Sequence, residues 1–218
     1  MCAPRQFSCG RVKGYYDVMR IRSFALGVFL LAIGAAGSPA AQSKTTRAVG
    51  PVTAAVRIDL FSDFQCPACK ALHEQTIKRV KEEFAQTGKI RLVHHDFPLP
   101  QHKFARQAAI LAAAADRLGK YDAVADALFH QQESWGQTGD VDAVVDSVLT
   151  PEERKKLREI AKDPAILANI ERDIQLGTRM QVGSTPTMII THDGKPNPVV
   201  GVVSYSVFSK YLNTIVGP

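Results

Sequence analysis

Cysteine is scarce in this chain, with four in 218 residues. That excludes a disulfide-stapled scaffold as the source of its stability. There is no second Cys-x-x-Cys and no pair of histidines at the close spacing a structural zinc site uses. The histidines are scattered at His73, His94, His95, His102, His130 and His192. A concentrated basic face is missing too, which argues against a nucleic-acid footprint. The formal charge is +6, but residues 1–40 carry Arg5, Arg11, Lys13, Arg20 and Arg22 against Asp17 alone. No apolar run approaches the roughly 20 residues of a membrane-spanning helix. What remains is ordinary for one globular domain: 45% apolar and 22% charged residues, enough for a real core.

The longest apolar run, Phe24 to Ala36, follows the short basic segment Met19 to Ser23. Small residues come next, Gly37-Ser38-Pro39-Ala40-Ala41, with Ser38 and Ala40 at the −3 and −1 places of a signal-peptidase site. This pattern predicts export and cleavage near Ala40/Ala41, hence a periplasmic or secreted protein. An uncleaved anchor is the alternative. Residues 1–18 would make a very long n-region, so Met19 reads as the better start. Cys2 and Cys9 then fall outside the mature protein, which keeps only Cys66 and Cys69.

Residues 42–54 are polar, broken by Gly50-Pro51, and read as a flexible arm. Ala55 to Phe61 and Lys89 to His94 have strand character. Between them, 67–86 is helical, with Leu72, Ile77, Val80 and Phe84 as its apolar stripe. Helical segments follow at 103–118, 122–132 and 141–149. Thr150-Pro151-Glu152-Glu153 is a capping box that starts a fourth, and Asp163-Pro164 starts a fifth. Residues 187–190 and 197–203 return to strand, and 205–215 close with a helix. The order predicts an α/β domain over 55–218, interrupted by a helical insertion at 101–181.

The chemistry concentrates in Phe64-Gln65-Cys66-Pro67-Ala68-Cys69-Lys70. Cys66 is placed at the start of the first helix with Pro67 at the first helical position. Unpaired backbone N–H groups and the positive end of the helix dipole there favour a thiolate. Cys69, one turn on, faces inward. The pair suits one attacking and one resolving thiol. A copper carrier using two cysteines and a histidine, a zinc site and an inert disulfide stand as alternatives. A bridge closing so short a loop stabilises little. A second feature is Thr185-Pro186, at the head of the apolar strand Thr187-Met188-Ile189-Ile190. Only about 5–6% of X–Pro bonds are cis, so trans is the ordinary expectation.

The segments FSDFQCPACK, HDFPLPQHKFA and VGSTPTMII, in that order, resemble the DsbA-type thiol–disulfide oxidoreductases of the thioredoxin fold. The resemblance covers about Val56 to Val216. It implies a thioredoxin fold with a helical insertion, Cys66 as nucleophile, Cys69 as resolving thiol, and Pro186 cis beside them. It also implies that Thr185 offers its backbone to an extended polypeptide substrate. Neither cofactor nor metal is implied. Pro-Ala between the cysteines departs from the Pro-His of the best-known oxidases. The reaction would be disulfide formation in cysteine-containing polypeptides, with a membrane quinone-linked reoxidase resetting the pair. Isomerase or reductase chemistry uses the same residues, and a dithiol copper chaperone is the rival class. The short segment before the first strand leaves no room for the dimerising domain of the isomerases, which favours a monomer. Thr185 before Pro186 resembles the isomerase pattern. The resemblance gives a buried acid near Asp59 a part in proton transfer. Taken alone, Asp59 reads as a strand-end carboxylate facing solvent. His94 and His95 alternate along their strand, so one inward ring is expected, with structural roles for both. His102 reads as a surface or cap residue, and Trp135 as packing.

Overall fold

The computed structural model describes residues 47–217. Cys2, Cys9, the basic and apolar leader and the cleavage site near Ala41 lie outside the described residues. A mixed five-stranded sheet runs in the order β1-β3-β2-β4-β5. Its strands are β1 Ala48–Val49, β2 Val56–Ser62, β3 Ile90–Asp96, β4 Thr187–His192 and β5 Lys195–Val200. β2 and β3 are parallel, so their connection must cross over the sheet. Helix α1, residues 67–85, makes that crossover and widens to i→i+5 turns at His73–Ile77 and Lys81–Ala85. β4 lies antiparallel to β2 and β5 antiparallel to β4.

The alternation of β2 divides the interior. Val56, Ile58 and Leu60 point to one face and pack with Leu72, Val80 and Phe84 of α1. Phe208 and Leu212 of the closing helix α8, Tyr205–Ile215, complete that layer. Burying each of these large side chains contributes about 1.5–3 kcal/mol. On the other face Phe61 and Ile189 meet Val182, Phe97 and Leu176.

Between β3 and β4 stand α2 Ala105–Arg117, α3 Tyr121–His130, α4 Gln132–Thr138, α5 Val141–Asp146, α6 Pro151–Ala161 and α7 Pro164–Arg179. The capping box of α6 is complete: the Glu153 N–H donates to Thr150 Oγ1 at 3.3 Å, and the Thr150 N–H to Glu153 Oε2 at 2.9 Å. α7 reaches the sheet through Gly177, where a Cβ would lie 2.5 Å from the Phe97 ring and 3.1 Å from that of Phe61.

Four local expectations are corrected. The arm expected to be flexible over 42–54 contains β1, which pairs antiparallel with β3 (Ala48 with Val93, Val49 with Leu92). A two-residue edge strand has no periodicity to read; its partner lies far along the chain. Second, the helix expected over 122–132 ends at His130, and a separate helix, α4, fills the unassigned stretch after it and carries the buried Trp135, whose Nε1–H donates to Leu128 O at 2.7 Å. Third, the last strand begins at Lys195, not Asn197, and ends before Gly201. The Asp193-Gly194 turn sets that register, both residues having positive φ, 50° and 71°, as a two-residue hairpin requires. Fourth, both His94 and His95 face packed layers, because both sides of β3 are covered. His94 stacks near Phe64 and Tyr121, and His95 on Phe61.

Candidate active site

The turn from β2 into α1 is set by Asp63. Its Oδ1 accepts the Gln65 N–H at 2.7 Å, a local Asx bond, and its carbonyl accepts the Cys66 N–H at 3.1 Å. Cys66 is the N-cap of α1, in extended conformation (φ −82°, ψ 120°), and Pro67 follows at the first helical position. The Cys66 carbonyl starts the helical ladder, accepting from Lys70 N at 3.1 Å. Buried Gln132 on α4 donates through Nε2 to Phe64 O at 2.7 Å and Cys66 O at 3.0 Å, tying the insertion to the motif. Gln65 Nε2 donates to Gly136 O at 3.1 Å, and its Oε1 accepts the Phe104 N–H at 2.7 Å.

Cys66 and Cys69 stand as free thiols, 7% and 2% exposed, and their acidities diverge. A hydrogen bond from the Cys69 thiol, followed by Thr185 and the backbone N–H groups of Cys69 and Ala68, overcomes burial and lowers the Cys66 pKa to about 5. Burial above all, then the neighbouring Cys66 sulfur, pushes the Cys69 pKa far up. The Asp63 N–H, 3.4 Å from Cys69 Sγ, and the Ser62 hydroxyl oppose that rise. At neutral pH the arrangement is one thiolate at a helix N-terminus beside one buried, protonated thiol. The first can attack a disulfide or leave from one; the second can resolve a mixed disulfide once deprotonated.

The Thr185–Pro186 peptide is cis. It brings the Thr185 carbonyl to 3.3 Å from Cys66 Sγ, where the thiol donates to it. Gly201 N–H donates to Pro186 O at 2.8 Å, and Thr187 Oγ1–H to Ser184 O at 2.7 Å, fixing the loop to both ends of the hairpin. The Thr185 hydroxyl is buried and has no partner among the described residues in the thiol form. When Cys66 ionises, that hydroxyl can turn to the sulfur and donate. Thr185→Val is therefore expected to raise the Cys66 pKa by about one pH unit, the loss of one hydrogen bond to a charged group. Ultraviolet absorbance of the thiolate across pH measures it; an unchanged midpoint would remove the hydroxyl from the site.

Asp59 is not brought to the cysteines. It lies on β2 between Ile58 and Leu60, and alternation turns it away from the face that α1 covers. Its carboxylate accepts from Arg57 Nε at 2.7 Å and Nη2 at 2.6 Å, and lies 2.8 Å from His95 Nε2. Among the described residues its hydrogen bonds run to Arg57 and His95, and none joins it to a cysteine. The buried acid beside the motif is Asp63, whose Oδ2 accepts from Leu99 N at 2.8 Å and from His102 Nδ1 at 2.7 Å. Sequence reading assigns Asp63 no role and takes His102 for a surface or cap residue, although an acid three places before Cys66 in a tight turn is a usable signal. Among the described residues, no three His, Cys, Asp or Glu side chains are grouped to hold a metal ion.

A family model described as Thioredoxin matches residues 42–200. The chain belongs to the thioredoxin family. Within it, the chain is a thiol–disulfide oxidoreductase. It is 24% identical over 158 residues to a protein of Bacillus cereus named probable disulfide bond formation protein D, covering 67% of this chain and 70% of that one. The crystal structure of Wolbachia pipientis alpha-DsbA1 superposes with a TM-score of 0.63 at 19% identity, covering 78% of this chain and 90% of that one. Oxidised BdbD from Bacillus subtilis gives 0.61 at 19%, covering 78% and 92%. At these identities the two structures speak for the fold alone. In this chain the cysteine pair, the helix start and the cis-proline loop meet at one point.

Proposed function

We propose that the protein is an exported oxidase that forms disulfides in cysteine-bearing polypeptides through Cys66 and Cys69. The observation that carries this is the divided acidity of the pair, with the acidic sulfur 3.3 Å from the carbonyl of a cis-proline loop. Starting from the Cys66–Cys69 disulfide, a substrate thiolate attacks Cys66 Sγ. The S–S bond breaks, its electron pair passes to Cys69, and Cys69 takes a proton. A second substrate thiolate then attacks the substrate sulfur of the mixed disulfide. The substrate disulfide forms and Cys66 leaves as thiolate. Two electrons have moved from substrate to protein. A thiolate stabilised to a pKa of about 5 is a good leaving group and favours the reduced protein, hence oxidation of the substrate.

Thr185 supplies backbone to an extended substrate. An open groove of about 560 Å³ beside the helix start, lined by Gln65, Pro67, Lys70, Glu74, Gln132 and Gln137, gives a polypeptide room to approach. Reoxidation falls to a membrane quinone-linked partner, and the working form is a monomer in the periplasm or outside the cell. The disulfide form, mixed with an unfolded polypeptide bearing two thiols, is expected to convert it to the disulfide mole for mole. Failure to oxidise it, together with catalysed reduction of insulin disulfides by the dithiol form, would reverse the proposed direction. The mature N-terminus is expected near Ala41.

A further inference from the structure

The proposal concerns Asp63 and rests on the exchange chemistry above. The side chain of Asp63 is 0% exposed, at the point where β2 turns into α1. Its two oxygens accept three bonds: Gln65 N–H at 2.7 Å on one, Leu99 N–H at 2.8 Å and His102 Nδ1–H at 2.7 Å on the other. Those partners come from the motif, from the segment after β3, and from the entrance to the helical insertion. These three bonds nearly saturate the carboxylate. The backbone of the same residue touches both cysteines. Its N–H points at Cys69 Sγ from 3.4 Å, and its carbonyl accepts from Cys66 N at 3.1 Å.

We propose that Asp63 is a positioning residue for the resolving thiol: its carboxylate, anchored by His102, Leu99 and Gln65, holds the peptide N–H that stabilises the Cys69 thiolate. Cys69 must carry negative charge twice in each cycle, on leaving the protein disulfide and on attacking a mixed disulfide. It does so in a buried place, where an unsolvated thiolate is costly. The groups that face its sulfur are the Asp63 N–H, the Ser62 hydroxyl and Cys66. The Asp63 N–H belongs to the Ser62–Asp63 peptide, whose carbonyl accepts from Phe97 N at 2.8 Å, and the residue is anchored further through its carboxylate by Leu99, His102 and Gln65. A misdirected amide would leave Cys66 acidic at the helix start and would slow only the step that needs Cys69.

Asp63→Asn tests this. The amide keeps the shape but replaces one acceptor oxygen by a donor, which then opposes a backbone N–H. In a Cys66→Ser background, the alkylation pH profile of Cys69 is expected to move to higher pH by one unit or more. With both cysteines present, resolution of a preformed mixed disulfide at Cys66 is expected to slow by about tenfold to a hundredfold, the range for one hydrogen bond to a charged group. In a Cys69→Ser background the Cys66 profile should stay in place. A merely structural role predicts the opposite sign: a loosened turn would admit water and make Cys69 more acidic and faster to alkylate. That result, or an unmoved Cys69 midpoint, overturns the proposal. His102→Ala removes one anchor and should shift Cys69 in the same direction by less, with His102→Asn restoring the donor and much of the loss. These variants carry the test if Asp63→Asn does not fold, and a null shift in His102→Ala would then count against it. The Cys69 titration needs no substrate, so it still reads out if the protein proves not to be an oxidase.

Discussion

Cys66→Ser is expected to abolish disulfide exchange, and Cys69→Ser to leave mixed disulfides with substrate that persist on non-reducing gels. The asymmetry follows from where the two sulfurs stand. Cys66 stands at the N-cap of α1, and the hydrogen bond from the Cys69 thiol, with Thr185 and the backbone N–H groups of Cys69 and Ala68 assisting, lowers its pKa to about 5. Cys69 is one turn deeper, 2% exposed, and burial holds its proton on. The size of the Cys66 advantage can be bounded. At pH 6 an ordinary thiol of pKa about 8.5 is roughly 0.3% ionised, against about 90% for one at 5. That gain of about 300-fold is offset by weaker intrinsic nucleophilicity, about 40-fold for a Brønsted slope near 0.45. The net is roughly tenfold faster alkylation at Cys66 than at an unperturbed thiol, while Cys69 should barely react. Alkylation of wild type at pH 6 with peptide mapping decides it. If Cys69 is labelled first, the assignment of attacking and resolving thiol is reversed.

The features legible from sequence are those fixed by near neighbours. Cys66 as N-cap with Pro67 behind it, the Thr150–Glu153 capping box and the Asp163 cap all lie within a few residues of their partners. The block order of strands and helices was readable for the same reason: each block carries its own period. Asp59 shows where this stops. Spacing along β2 places an acid near the cysteines, but facing is decided by parity. Leu60, not Asp59, shares the α1 side, packed with Leu72 and Met188. The Asp63–His102 contact joins residues 39 apart, and only the completed fold brings them together. β1 is the same kind of case, a pair of residues made into a strand by a partner beyond α1. The hairpin at Asp193-Gly194 was in the sequence as a turn signal, and reading it would have placed β5 correctly.

The misread acid belongs to a network with its own large expected effect. His95 on β3 lies between two carboxylates, with Nε2 2.8 Å from Asp59 Oδ1 and Nδ1 2.8 Å from Asp173 Oδ1 on α7. Carboxylates only accept, so both ring nitrogens must donate and the ring is an imidazolium. Burial opposes that charge, but the bonds to Asp173 and Asp59 prevail and the His95 pKa is raised. Both acids are lowered: burial works against them, His95 outweighs it, and Arg57 assists Asp59 as Arg47 assists Asp173. Arg47 is 2.7 Å from both Asp173 and Asp96, so the chain of charges fastens α7 to β2, β3 and the segment before β1. Removing one member of such a buried set leaves uncompensated charge, and His95→Ala is expected to cost about 3–5 kcal/mol in denaturant unfolding. The pH dependence has a definite sign. His95 binds its proton more tightly folded than unfolded, so its contribution is whole below the unfolded value of about 6.5 and is lost as pH rises through the raised folded value. Asp59 and Asp173 act in reverse: theirs is present above the unfolded carboxylate range of about 4 and is lost as pH falls through the lowered folded values. The network is thus strongest between about pH 4 and 6.5, and wild type should lose stability on the alkaline side of that window. In His95→Ala the alkaline loss should flatten while that on the acid side remains. An unfolding series from pH 5 to 9 in which both proteins decline in parallel would show that the His95 ring is not charged in the fold.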